Sequence, residues 1–287
     1  MTASKKPASQ SNNELPPSLS LEPDDRLKIE SMQDALKLPG VLLLLKDAFR
    51  ATWKLRVVVY GYSAWLLVPT IAFLFAQGLP SPYSDYLSLA GSVTSLALGL
   101  WINAAIALYV GVVVTSEEGE TINFSILSQR AWDKVLGLFV IQAVIGLSVM
   151  FGTILLIVPG VILWVWTAFA TQQYLLSSKG MIESFRLSRE LTRGRFFPVL
   201  GRLLVSNLFF SFLIMLAFGL YIIAGLHGSA ALLVPTLQAW PSWLEVGFSL
   251  ITLPLIPVSI IFNIMLYFAI KRTYSLTESL KAKLPPV

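Results

Sequence analysis

The sequence predicts an all-α polytopic membrane protein: six transmembrane helices arranged as three hairpins, each preceded by a cytoplasmic amphipathic interfacial helix. Three observations carry that prediction. Hydrophobic residues make up 55% of the 287 positions and charged residues only 13%, against ~25% charged in water-soluble domains, and the mean hydropathy is +0.72. The apolar residues gather in runs of about 20 or more, the length a helix needs to cross ~30 Å of hydrocarbon. All 21 Lys and Arg residues then fall on alternate connections between those runs. Open strands are excluded, because lipid offers no partner for their edge hydrogen bonds.

Taken in order, residues 1–35 are polar and rich in Ser, Pro and Asn, with no signal-peptide core. They read as a disordered tail. A six-span membrane domain over 36–275 follows, with spans near 57–77, 87–114, 135–157, 160–178, 199–226 and 244–270, and then a C-terminal tail, 276–287. Before the first span lie Lys5, Lys6, Arg26, Lys28, Lys37, Lys46, Arg50, Lys54 and Arg56. The second connection carries Arg130 and Lys134. The fourth carries Lys179, Arg186, Arg189, Arg193, Arg195 and Arg202, and the C-terminal segment Lys271, Arg272, Lys281 and Lys283. The connections near 78–86, 158–160 and 227–243 carry none. Positive-inside asymmetry puts both termini in the cytoplasm of a multi-pass inner-membrane protein.

The cationic connections share a pattern. "RATWK" (Arg50 to Lys54), "RAWDK" (Arg130 to Lys134) and "RELTR" (Arg189 to Arg193) each set two cations four residues apart, on one helical face. Each follows an amphipathic lead-in and precedes a pair of spans, so the chain reads as three units of interfacial helix plus hairpin. Over 181–193, Glu183, Arg186, Arg189, Glu190 and Arg193 occupy an arc of about 120°, with Met181, Ile182, Phe185, Leu187 and Leu191 filling most of the rest. Gly194 suits the end of that helix and Pro198 the first turn of the next. Arg50, Lys54, Arg130, Lys134, Arg186, Arg189, Arg193 and Arg195 are therefore candidate contacts for anionic lipid headgroups.

The stretch "LLIVPGVILWVWTAFA", followed by "SFRLSRELTRGRFFPVLG", resembles the six-span membrane domain attached to some bacterial glycerophosphodiester phosphodiesterases. It is similar also to stand-alone bacterial inner-membrane proteins. The matching features are Pro159-Gly160 at the end of an apolar run, a span without charges, and Ser188, Leu191, Thr192 and Gly194. The likeness covers roughly 36–275. It implies architecture and a bacterial membrane without activity, since the phosphodiesterase barrel with its acidic metal ligands has no counterpart here.

Within the spans, Gly91, Ser95, Gly99, Asn103, Ala107 and Gly111 form a four-residue-spaced row that suits close helix packing, which puts the second span at the centre of the bundle. Asn103, Gln142, Gln172, Gln173, Asn207 and Asn263 are amides in the cytoplasmic half. They form interhelical hydrogen bonds or, alternatively, line a polar path. Pro159-Gly160 is expected to form the extracytoplasmic turn of the second hairpin. Pro69, Pro254 and Pro257 are expected to kink the first and sixth spans. Trp164, Trp166, Trp240 and Trp243 belong to an outer aromatic belt, Trp53 and Trp132 to an inner one.

No charged residue falls in the middle of a span, which argues against ion-coupled transport. Cysteine is absent and His227 is the only histidine, so cysteine and histidine-cluster metal sites are excluded. No hydrolase or phosphate-loop motif is present, and "EEGE" at Glu117 to Glu120 reads as a solvated loop. The expectation is a protein with no catalytic residue, cofactor or metal, whose partners are anionic membrane lipids and a membrane protein, not nucleic acid. The alternatives are a transporter of an uncharged or lipid-like solute through the amide-lined path and, third, a headgroup-acting membrane enzyme.

Overall fold

The computed structural model describes residues 38–115, 123–177, 179–227 and 249–283, and the described chain is helical without strands. The elements are α1 (Val41–Lys54), α2 (Arg56–Ala64), α3 (Leu67–Gln77), α4 (Tyr83–Thr115), α5 (Phe124–Leu155), α6 (Ile157–Thr167), α7 (Ala170–Leu176), α8 (Met181–Thr192), α9 (Phe196–His227) and α10 (Leu255–Lys283). Five segments among the described residues are long and apolar enough to cross a membrane: Arg56–Ala76, Tyr83–Thr115, Phe124–Leu155, Phe196–Leu220 and Ser249–Ser279. The fourth expected span, 160–178, is instead two short helices, α6 and α7, parted at Ala168 and Phe169. The expected polar tail at 1–35, most of the 227–243 connection and Glu117 to Glu120 lie outside the described residues.

One local rule explains where several helices start. α3, α6, α9 and α10 begin Leu-Val-Pro69, Ile-Val-Pro159, Phe-Phe-Pro198 and Leu-Ile-Pro257, with proline third in each helix. The first four N–H groups of a helix have no acceptor within it, so the missing proline N–H costs nothing there. The ring would clash with the carbonyl four residues back, which ends any helix arriving from upstream. The breaks at Trp65-Leu66 and Leu253-Pro254 each stand three to four residues ahead of Pro69 and Pro257. The local breaks expected from the prolines thus lie upstream of them, and at Trp65 and Leu66 the backbone stays right-handed helical in a tight turn.

The same rule corrects the turn of the α5–α6 hairpin. Pro159 and Gly160 lie inside the first turn of α6, and the link is the single extended residue Leu156 (φ −166°, ψ 143°). Gly160 serves another purpose. A Cβ on Gly152 would come within 2.9 Å of the Gly160 Cα and 3.0 Å of its nitrogen. Two helix backbones therefore touch, which requires glycine on both sides.

α4 and α10 form the centre. About half of each apolar window is buried, 44% and 50%, against 17% in the other three long segments. Ile102, Ala104, Ala105, Ile106 and Ala107 are buried on nearly every side of α4, in one core cluster with Val258, Ile261, Phe262, Leu266 and Ile270 of α10. Trp101 stacks on Trp132 of α5 at 5.4 Å between ring centroids, and Tyr62 meets it edge-on. Val144, Leu147, Phe151, Ile154 and Leu155 of α5 are exposed, as expected of a face turned to lipid.

The three lead-ins differ. α1 is separate, joined to α2 through Leu55 alone. α8 is also separate, ending at Gly194 with φ +78°. The lead-in at 124–134 is not a distinct helix: it runs without interruption into α5, capped by Asn123, whose Oδ1 accepts from the Ser125 N–H at 3.0 Å. At the other end α10 stays helical to Lys283, past the expected boundary at 276.

Candidate functional site

α1 carries three faces. Leu44, Leu45, Ala48 and Thr52 are buried. Leu42, Phe49 and Trp53, seven and four residues apart, form an exposed apolar strip. Lys46, Arg50 and Lys54 stand beside that strip at four-residue spacing. An apolar strip edged by cations is the pattern of a helix lying in a membrane interface. Arg50 has only a loose pairing with Asp47, at 3.9 Å on an exposed surface.

The expected headgroup cations divide into two sets. Lys54, Arg130 and Arg193 are exposed. Arg186 is tied to Glu183 at 2.7 Å and Glu190 at 3.8 Å. Arg189 places its guanidinium 4.4 Å above the Trp166 ring. Lys134 and Arg195 are turned inward instead. Lys134 donates to the Tyr174 carbonyl at 3.1 Å and lies over that ring. Arg195 donates to the Thr273 hydroxyl at 2.7 Å, the Thr273 carbonyl at 3.0 Å and the Thr277 hydroxyl, fastening the start of α9 to the end of α10. Arg202 makes a matching tie from α9 to the segment before α1, donating to the carbonyls of Leu38 at 2.8 Å and Pro39 at 3.0 Å. A guanidinium with five donors can hold several acceptors at once, so it links helices here.

α8 buries a face that its charge pattern conceals. Ser184, Ser188 and Thr192, four residues apart, are buried with Leu191, while Ile182 is exposed. The Ser188 hydroxyl accepts from the Phe169 N–H at 3.1 Å and donates to the Trp166 carbonyl at 2.7 Å. Those two backbone groups flank the α6–α7 break. Ser188 therefore replaces helix hydrogen bonds lost there, as buried backbone requires. Ser188 makes this joint, Leu191 and Thr192 are buried on the same helix, and Gly194 follows its end. The strict four-residue spacing of hydroxyls was the signal available in the sequence. Trp166, expected in the outer belt, stands beside Arg189 of α8 because α6 is only 11 residues long.

The amides do not converge. Asn207 and Asn263 donate to carbonyls of their own helices, Leu203 at 2.8 Å and Ser259 at 2.9 Å. Gln142 reaches Thr171 at 3.4 Å, and Gln173 accepts from the Tyr267 hydroxyl at 3.3 Å. Gln172 keeps its Oε1 buried without a partner, and Asn103 is half-buried. In the small-residue row, Gly91 lies under Phe73, and Gly111 against Leu176, whereas Gly99 faces open space. Ala107 is buried, and Ser95 borders a crevice of about 180 Å³ between the breaks at Trp65-Leu66 and Leu253-Pro254.

A larger groove, about 700 Å³, opens between α6, the α8–α9 link and the start of α9. Ile157, Val158, Val161, Ile162 and Trp166 form one wall, and Phe196, Phe197 and Leu200 another. Thr192, Arg193 and Gly194 complete it. None of the amides lines either cavity.

These features, exposed cations beside exposed apolar strips and a joint built on Ser188, can bind an amphipathic surface. No protein-family model, curated protein or solved structure matches the chain.

Proposed function

We propose that the chain is a non-enzymatic integral membrane protein that organises anionic lipid at the cytoplasmic face of a bacterial inner membrane. In this reading α6 and α7 together make the fourth of six crossings, broken at Ala168 and Phe169, and both termini are cytoplasmic. The observation that carries it is α1: a buried face, an apolar strip of Leu42, Phe49 and Trp53, and a row of Lys46, Arg50 and Lys54 on one helix. Lysines and arginines near an anionic surface contribute about 1 kcal/mol each. The resemblance to phosphodiesterase-linked membrane domains supports the architecture only. The transport alternative loses support from the local hydrogen bonds of Asn207 and Asn263.

The test is native mass spectrometry of the full chain extracted from vesicles of phosphatidylcholine and phosphatidylglycerol. The triple variant Arg50→Gln, Lys54→Gln, Arg130→Gln should retain several-fold less phosphatidylglycerol than the unaltered chain. Equal retention would end the proposal.

A further inference from the structure

The 700 Å³ groove runs from an apolar end to a cationic one. Its α6 wall runs from Ile157 to Trp166, nine residue steps, or about 13 Å at 1.5 Å each. At the Ile157 end are the exposed, wholly apolar residues of the hairpin tip, Leu155 to Val158. At the Trp166 end stands the Arg189 guanidinium, and Arg193, four residues further along the chain, lines the groove itself. The Arg193 N–H donates to the Arg189 carbonyl at 3.0 Å, and its guanidinium makes no hydrogen bond or ion pair among the described residues. An apolar channel with a free fixed cation in its lining is complementary to a chain that is greasy along its length and negative at one end. Water is a poor occupant, because Thr192 and Arg193 supply the only polar side chains in the lining apart from the Trp166 indole.

We propose that the groove holds one acyl chain of an anionic glycerophospholipid whose phosphate pairs with Arg193. The site rests on the lipid-organising reading and deepens it: the exposed cations of α1 and α5 gather anionic lipid, and the α6–α8–α9 groove seats a single molecule. The geometry around it is fixed by Ser188, which holds α8 on α6, and by Gly194, whose positive φ turns the chain from α8 into α9. A flexible loop could not keep the Arg193 side chain in register with an apolar wall on another helix.

The experiment uses the full chain in phosphatidylcholine nanodiscs doped with a phosphatidylglycerol probe that carries a photoactivatable group in one acyl chain. A phosphatidylcholine probe with the same chain serves as the second arm. Mapped labels should concentrate on the groove walls, Val161 and Phe197 among them, over the exposed α5 face at Val144 and Leu147. Arg193→Gln should cut groove labelling by phosphatidylglycerol about fivefold, the effect of one cation, and leave labelling of α5 unchanged. Val161→Trp should fill the groove and remove the labels there. If that variant fails to fold, Arg193→Gln, at an exposed position, decides alone.

Groove labelling that is blind to headgroup, or indifferent to Arg193→Gln, overturns the proposal, and so does labelling no stronger than that of α5. Crosslinks from the groove to a second copy of the chain would also overturn it. The outcomes separate from the broader reading. Arg193-dependent labels with phosphatidylglycerol retention unaffected by the Arg50, Lys54 and Arg130 triple variant leave the groove standing and remove the surface function. The reverse pair of results does the opposite.

Discussion

The hydroxyl of Ser188 donates to the carbonyl of Trp166 at 2.7 Å, joining α8 to α6 at the place where α6 ends. The same oxygen accepts from the Phe169 N–H. A single side chain therefore completes the hydrogen bonding of a broken apolar segment.

Replacing Ser188 with Ala should destabilise the fold by about 1–3 kcal/mol, because two buried backbone groups lose their partner. Ser184→Ala on the same face should cost at most about 1 kcal/mol. Its hydroxyl only adds to the Gly180 carbonyl, which already accepts from the Ser184 N–H at 3.0 Å. Denaturant unfolding in detergent micelles measures both. Equal losses would show that the Ser188 bridge has no special role.

Gly152→Ala should cost about 1–3 kcal/mol by overpacking, since its Cβ would strike the backbone of Gly160. Gly146→Ala, on the same helix, meets nothing within 4 Å, and should stabilise by up to about 1 kcal/mol through helix propensity. The opposite signs are the prediction. A thermal shift in the same direction for both would refute the close approach of α5 and α6.

Arg195→Gln should cost about 2 kcal/mol or more, as charged hydrogen bonds to Thr273 and Thr277 disappear. Arg193→Gln, two residues away and exposed, should stay within ~0.5 kcal/mol. Parallel unfolding curves distinguish a structural arginine from a free one. If Arg193→Gln proved the more damaging, the division of the cations would be wrong.

Because cysteine is absent, single cysteines report topology without a background. An impermeant maleimide added from outside should label Ser229→Cys and Leu156→Cys but spare Ser116→Cys. Labelling of Leu156→Cys tests whether α6 and α7 complete a crossing. Protection of that position from both sides would mean the hairpin tip stops inside the bilayer.

Much of the helical layout was legible in composition. Runs near 87–114 and 199–226 fall within α4 and α9, and the run near 135–157 overlaps α5 up to its end at Leu155, since apolar length is a property of the chain alone. The row beginning at Gly91 pointed to α4 as central, and α4 is deeply buried. The pattern was less informative about ends. Sequence reasoning set the hairpin turn at Pro159-Gly160 because both residues favour turns. In the folded chain proline instead marks the first turn of a helix, and the turn falls three residues earlier. It also treated Lys134 and Arg195 as surface cations, although both donate to groups on other helices.

By itself, the sequence determined an all-helical chain with several membrane-length apolar segments, because the cost of exposing backbone polar groups to hydrocarbon depends only on local hydropathy and length. Only the tertiary structure decided which cations are free, where the second hairpin breaks, and that a row of hydroxyls, not a greasy stripe, fastens α8. Those outcomes depend on which acceptor lies opposite each donor, and residues such as Arg195 and Thr273 meet only after the helices have packed.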